Sequence, residues 1–110
     1  LLADIRAALP PAMPLSITSL ASWAMDDNWM VGLPVDEIVP MLFRMGSGGP
    51  AIVAYARRHG RLRGHPSGGA VGYATDEPRP PMHPRGRTYI FCPAGWDERV
   101  YAMVAEEYLP

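Results

Sequence analysis

The sequence predicts an α/β fold in which parallel strands alternate with helices, a partial (βα) barrel of TIM type. Short β-compatible runs recur at residues 15–21, 39–45, 70–75 and 88–92. Helical periodicity appears before, between and after these runs. The length also fits: a barrel of eight βα units takes about 250 residues, so a chain of 110 holds about four units, close to half a barrel. Strands alternating with helices pair in parallel through right-handed crossovers. A small doubly wound sheet is the alternative arrangement.

Leu1, Leu2, Ile5, Ala8 and Leu9 recur at helical spacing, and Pro10 and Pro11 stop that helix. The run 15–21 mixes apolar residues with Ser16, Thr18 and Ser19, as expected of a barrel strand with one face on outer helices and one inside. Residues 24–34 read as a loop and 35–38 as a short helical turn. The second strand follows at 39–45, with Pro40 tolerable only near its start. Gly46, Ser47, Gly48 and Gly49 make a turn, and Pro50 suits the first position of a helix. Arg57, Arg58 and His59 suit that helix's negative C-terminal end, and Gly60 suits its stop. After a basic, Gly-rich loop the third strand spans 70–75. Residues 79–86 are Pro-rich and irregular, and the fourth strand spans 88–92. Trp96, Val100, Met103 and Val104 mark one face of a last helix, opened by Asp97 and Glu98.

Composition narrows the function classes. A net charge of -1 gives no general attraction to nucleic acid or anionic lipid. All ten basic residues are Arg, which reflects a GC-rich genome more simply than a binding role at each site. Cys92 is the only cysteine, so the chain closes no disulfide on itself. No apolar run approaches the roughly 20 residues that cross a bilayer. The chain opens at Leu1 inside an amphipathic pattern, without an initiator Met. Residues 1–110 are therefore read as a single fragment of a barrel domain whose N-terminal half is missing.

Four segments carry a family resemblance: PLSITSLASW (Pro14 to Trp23), DNW (Asp27 to Trp29), LPVDEIVPMLFRMG (Leu33 to Gly46) and GYATDEP (Gly72 to Pro78). GRTYIFCPAGW (Gly86 to Trp96) adds a weaker match. Together they resemble a bacterial family known as domain of unknown function 3142. The resemblance implies a glycoside-hydrolase-like (βα) barrel, with this chain as its C-terminal half. It also implies an acidic strand-end segment upstream, absent here, and an exported, envelope-located parent protein. It carries over no catalytic residue, because that family has no settled activity.

The candidate residues follow from the barrel layout, because ligands bind at the carboxyl ends of parallel strands. Asp76 and Glu77 close the third strand, where a barrel enzyme keeps its acid, base or nucleophile. Adjacent residues point to opposite sides of a strand, so both face one cavity only if the strand ends before them. The plainer reading is a turn with Asp76 capping backbone donors. Asp26 and Asp27 lie between Trp23 and Trp29; rings beside carboxylates suit a sugar, stacking on its C–H face and bonding its hydroxyls. Asp27 joins Asp76 and Glu77 as a catalytic candidate. The plainer reading makes the tryptophans a plug over the core. Arg44 lies within an apolar run and needs an acidic partner, either at the cavity mouth or in a structural ion pair. Asp36 and Glu37 read as acids at a helix start, Trp96 as helix packing, and Cys92 as a buried, inert thiol.

Metal and cofactor signatures are missing from the sequence. Neither HxxxH nor a zinc-spaced Cys/His set occurs, the Ser-Gly-Gly segments miss the phosphate-loop pattern, and Gly-X-Ser-X-Gly is absent. His59, His65 and His83 fall at a helix end or in loops. Two readings stand. One is a glycoside-hydrolase-like barrel acting on a saccharide through strand-end carboxylates. The other is a non-catalytic barrel binding a carbohydrate or envelope partner.

Overall fold

The computed structural model describes residues 1–25, 30, 32–65, 69–80, 82 and 86–108. It is an α/β fold with a four-stranded sheet, all parallel. The elements are α1 (Leu2–Ala8), β1 (Ser16–Leu20), β2 (Glu37–Met41), α2 (Gly49–His59), β3 (Val71–Ala74), β4 (Thr88–Phe91) and α3 (Glu98–Tyr108). The strands lie in sequential order, β1-β2-β3-β4. A doubly wound sheet needs a reversal of strand order, and none occurs among these four. Crossovers of constant hand then place their connections on one face, as in a segment of a (βα) barrel.

The register sorts the side chains. Ser16 lies opposite Glu37, Leu20 opposite Met41, Met41 opposite Gly72, and Gly72 opposite Tyr89. Alternation puts Ile17, Ser19, Ile38, Val71, Tyr73 and Ile90 on one face. That face carries the core, where Leu42, Val71 and Tyr73 pack with Ile52 and Ala56 of α2, and Ile38, Ile90 and Tyr108 of α3 close in around them. Tyr73 and Tyr108 stack at 5.8 Å between centroids. On the opposite face Gly72 leaves room for Phe91 to lean across β3. A Cβ there would meet the Phe91 ring at 3.0 Å and Val39 at 3.5 Å.

Several boundaries differ from the sequence expectation. Residues 35–38 form no helical turn: β2 already starts at Glu37 and ends at Met41, with Pro40 inside it. The helical turn lies instead at Ala21–Met25, a 3-10 turn after β1. The reason for the short strand is local. Leu42 N–H donates to Gly72 O at 2.8 Å, and Glu37 N–H donates to Leu15 O on the β1 side. In a parallel strand alternate residues bond alternate neighbours, so Pro40 faces β3, the side where it has no proton to give. The β2–β3 ladder accordingly starts only at Met41. α2 behaves as read, with Pro50 in its first turn and Gly60 left-handed at φ 72°. In α3 the half-buried stripe is Val100, Val104 and Tyr108, whereas Trp96 precedes the helix and stays 49% exposed. Trp96 therefore does not provide the helix packing expected of it.

Ser19 is buried on the helix face, and its Oγ finds no hydrogen-bond partner among the described residues. A buried, unsatisfied hydroxyl costs roughly 1–3 kcal/mol. Ser19→Ala is therefore expected to stabilise the fold by about 1 kcal/mol, read as a higher urea midpoint at unchanged slope.

Candidate functional site

Three of the sequence candidates meet at the carboxyl ends of β2 and β3. Strand β3 ends at Ala74, so Asp76 and Glu77 lie in the turn beyond it and the strand's alternation no longer separates them. The Arg44 guanidinium bridges both. Its Nη2 donates to Asp76 Oδ2 at 2.6 Å, its Nη1 to Asp76 Oδ1 at 3.2 Å, and Nη1 also pairs with Glu77 Oε2. The Arg44 backbone N–H adds bonds to Glu77 Oε2 at 3.1 Å and Oε1 at 3.3 Å. One residue thus holds Glu77 with backbone and side chain together, and grips Asp76 in a two-pronged carboxylate pair.

Arg44 sits after the strand rather than within it, and is exposed rather than sunk among Met41–Met45 as the sequence suggested. Its φ of 53° makes it a non-glycine residue in the left-handed region among the described residues. That conformation costs an L-residue roughly 1–2 kcal/mol. In this bend the Arg44 N–H and guanidinium both meet the Glu77 carboxylate, and those bonds hold it.

The electrostatics follow from this geometry. The Arg44 guanidinium holds the Asp76 carboxyl below its usual range, and the two acids raise Arg44 in return. A general acid needs a raised pKa, so Asp76 is built to stay ionised rather than to donate a proton. The site is a fixed array of carboxylate acceptors around one cation, half-open to solvent.

The other candidates are placed less fully. Trp23 lies in the 3-10 turn after β1, 42% exposed, at the same end of the sheet. Two strand spacings separate β1 from β3, on the order of 10 Å. Asp26, Asp27 and Trp29 lie outside the described residues. Cys92 falls just past β4 rather than in it. It is half-buried, with Sγ donating to Gly95 O at 3.0 Å. Among the described residues no group of three His, Cys, Asp or Glu is placed to hold a metal ion, and no helix is long and apolar enough to cross a membrane.

A second polar cluster lies at the opposite end of the strands, and the sequence reading did not assemble it. Asp36 and Glu37 open β2, not a helix. Asp36 Oδ2 accepts from Leu15 N–H at 2.7 Å and from Arg6 Nη1 at 3.0 Å. Glu37 Oε1 accepts from Tyr89 O–H at 2.6 Å and Ser16 Oγ at 2.8 Å. The Tyr89 bond, with help from Ser16 and Arg87, holds Glu37 below the carboxylate range. Through one carboxylate oxygen Glu37 ties β1, β2 and β4 together at the N-terminal ends of the strands. Period-two alternation puts Ser16, Glu37 and Tyr89 on one face; the register sets Ser16 opposite Glu37, and the long Tyr89 side chain reaches across β3 to the same carboxylate.

Comparison with known proteins returns no match: no family model fits the chain, and no curated protein or solved structure is significantly similar to it.

Two outcomes test the strand-end cluster. Replacing Arg44 removes the clamp, but glycine also removes the left-handed strain. Arg44→Gly is therefore expected to be more stable than Arg44→Ala by roughly 1 kcal/mol in chemical denaturation; equal stability would mean that the bend carries no strain. The second outcome is the pH response. Asp76 has a lower pKa folded than unfolded, so its contribution is complete above the unfolded value of about 4. It is lost as pH falls from there through the folded value. Carbon-detected NMR titration should show the Asp76 midpoint below that of exposed aspartates, and Arg44→Met should move it up.

Proposed function

We propose that this chain is part of a glycoside-hydrolase-like (βα) barrel that handles a saccharide at the Arg44–Asp76–Glu77 rim. The observation that carries the reading is the convergence of these three exposed charged groups at the carboxyl ends of neighbouring parallel strands. Ligand sites of α/β sheets lie at that end. Carboxylates held rigid by a guanidinium are preorganised acceptors for sugar hydroxyls, and Trp23 offers a ring for the sugar's C–H face. The resemblance of residues 33–46 and 72–78 to the bacterial family supports the same reading.

Binding is favoured over hydrolysis by one specific feature. Asp76 stays ionised against Arg44, which suits an acceptor or a group that stabilises an oxocarbenium-like charge. The proton donor of a hydrolase has to come from another residue. The site then acts first as a sugar-recognition rim, with Arg44 fixing the two acids and Asp76 and Glu77 meeting hydroxyl donors.

A glycan array followed by titration decides the matter. Binding of a neutral oligosaccharide is expected, weakened about tenfold by Arg44→Met through loss of charge-assisted positioning. Trp23→Ala should weaken it comparably. No glycan binding, or binding indifferent to Arg44, overturns the proposal.

A further inference from the structure

A cavity of 340 Å³ opens at the N-terminal ends of β2 and β3, away from the rim. Eight residues of chain separate Asp36 from Arg44, so the two places lie on the order of 20 Å apart. Met30, Leu33, Val35 and Ile38 give the cavity an apolar wall; Asp36, Glu37 and His65 give it polar groups. Its size falls in the range of small-molecule sites, about 300–1,000 Å³.

His65 is the informative member. It is only 5% exposed, and its Nε2 lies 2.8 Å from Ala70 O. A carbonyl can only accept, so Nε2 carries the proton and Nδ1 is left as an acceptor with no partner among the described residues. Burial keeps the ring neutral by lowering its pKa. Gly69 is part of the design, because a Cβ there would run into the imidazole. On the acids, Asp36 Oδ2 is taken by Arg6 and Leu15, and Glu37 Oε1 by Ser16 and Tyr89. The second oxygens, Asp36 Oδ1 and Glu37 Oε2, have no hydrogen bond among the described residues. Among the described residues, the unspent side-chain polar atoms on the helix face of the cavity, Asp36 Oδ1 and His65 Nδ1, are thus acceptors beside apolar walls, while the Glu37 carboxylate turns to the opposite face toward Ser16 and Tyr89.

We propose that this cavity binds a small amphiphilic amine, its ammonium toward Asp36 and the His65 Nδ1 and its apolar body against Met30, Leu33 and Ile38. An ammonium brings three donors and no acceptor, the complement of that lining. Among the described lining residues a carboxylate ligand finds no side-chain donor, and an alcohol brings one donor only. Arg6 on Asp36 tempers the negative charge without removing the free lone pair of Oδ1.

The test uses the full chain with hexylamine, hexanol and hexanoate as probes, followed by protein-observed NMR. Hexylamine is expected to bind with a dissociation constant on the order of 1 mM, shifting the His65 ring and the Ile38 methyl signals. Hexanol should bind at least several-fold more weakly and hexanoate not at all. Val35→Trp, which fills the cavity from its wall, should abolish the amine response; should that variant fail to fold, the His65 and Ile38 shifts in the unaltered chain still locate the ligand. Absence of amine binding, equal binding of the three probes, or shifts confined to the Arg44 rim would overturn the proposal. Saccharide binding at the rim is untouched by any of these results.

Discussion

Pro40 gives the sheet its weakest joint. It faces β3 without an N–H, so β2 and β3 meet only from Met41 onward, with the Leu42 bond to Gly72 O extending the contact. By contrast β1 and β2 pair from Ser16 to Leu20, and β3 and β4 pair along the whole of β3. The Arg44 cluster lies directly beyond this short seam. Its guanidinium and backbone tie the end of β2 to the turn after β3. Exposed ion pairs are individually weak. This one gains from being two-pronged and from sharing its backbone bend with Glu77, so a few well-directed bonds act where the ladder is shortest.

The same joint shapes the chemistry. Because β2 stops at Met41, the chain turns early and lifts Arg44 out of the apolar layer to the rim. Because β3 stops at Ala74, Asp76 and Glu77 escape strand alternation and reach one cation together. The left-handed Arg44 backbone is the strained point that this convergence holds in place, as strained residues often are at ligand sites. At the other end, Glu37, Ser16 and Tyr89 bind strands β1, β2 and β4 through one carboxylate oxygen, which steadies the base of the sheet. Rim and base thus divide the labour, one presenting charges and the other fixing register.

Much of this was legible in the sequence, for physical reasons that differ by residue. The four strands follow from β-compatible runs bounded by Pro and Gly. The α2 limits follow from Pro50 and Gly60, whose backbone preferences are local. The need of Arg44 for an acid follows from the cost of an unpaired guanidinium, and Asp76 was the nearest strand-end candidate. What stayed hidden depends on register. Nothing local shows that Pro40 faces β3 rather than β1, so the sequence places β2 at 39–45, where the structure has Glu37–Met41. Glu37 and Tyr89 are 52 positions apart, and they meet because the Tyr89 side chain reaches across β3 on the face they share. His65 lies in a loop, and its burial comes from contact with distant segments that the sequence does not place beside it; Gly69, four residues on, is where the ring needs room.

Hydrogen exchange at the Leu42 amide is the most direct probe of the claim that Arg44 holds the β2–β3 seam. That amide donates to Gly72 O across the seam, while the Val71 and Thr75 amides donate to Arg87 and Phe91 within the β3–β4 ladder and serve as internal references. In Arg44→Met, Leu42 should exchange at least several-fold faster than in the unaltered chain, with Val71 and Thr75 unchanged. Equal acceleration at all three amides, or none at Leu42, would contradict the account.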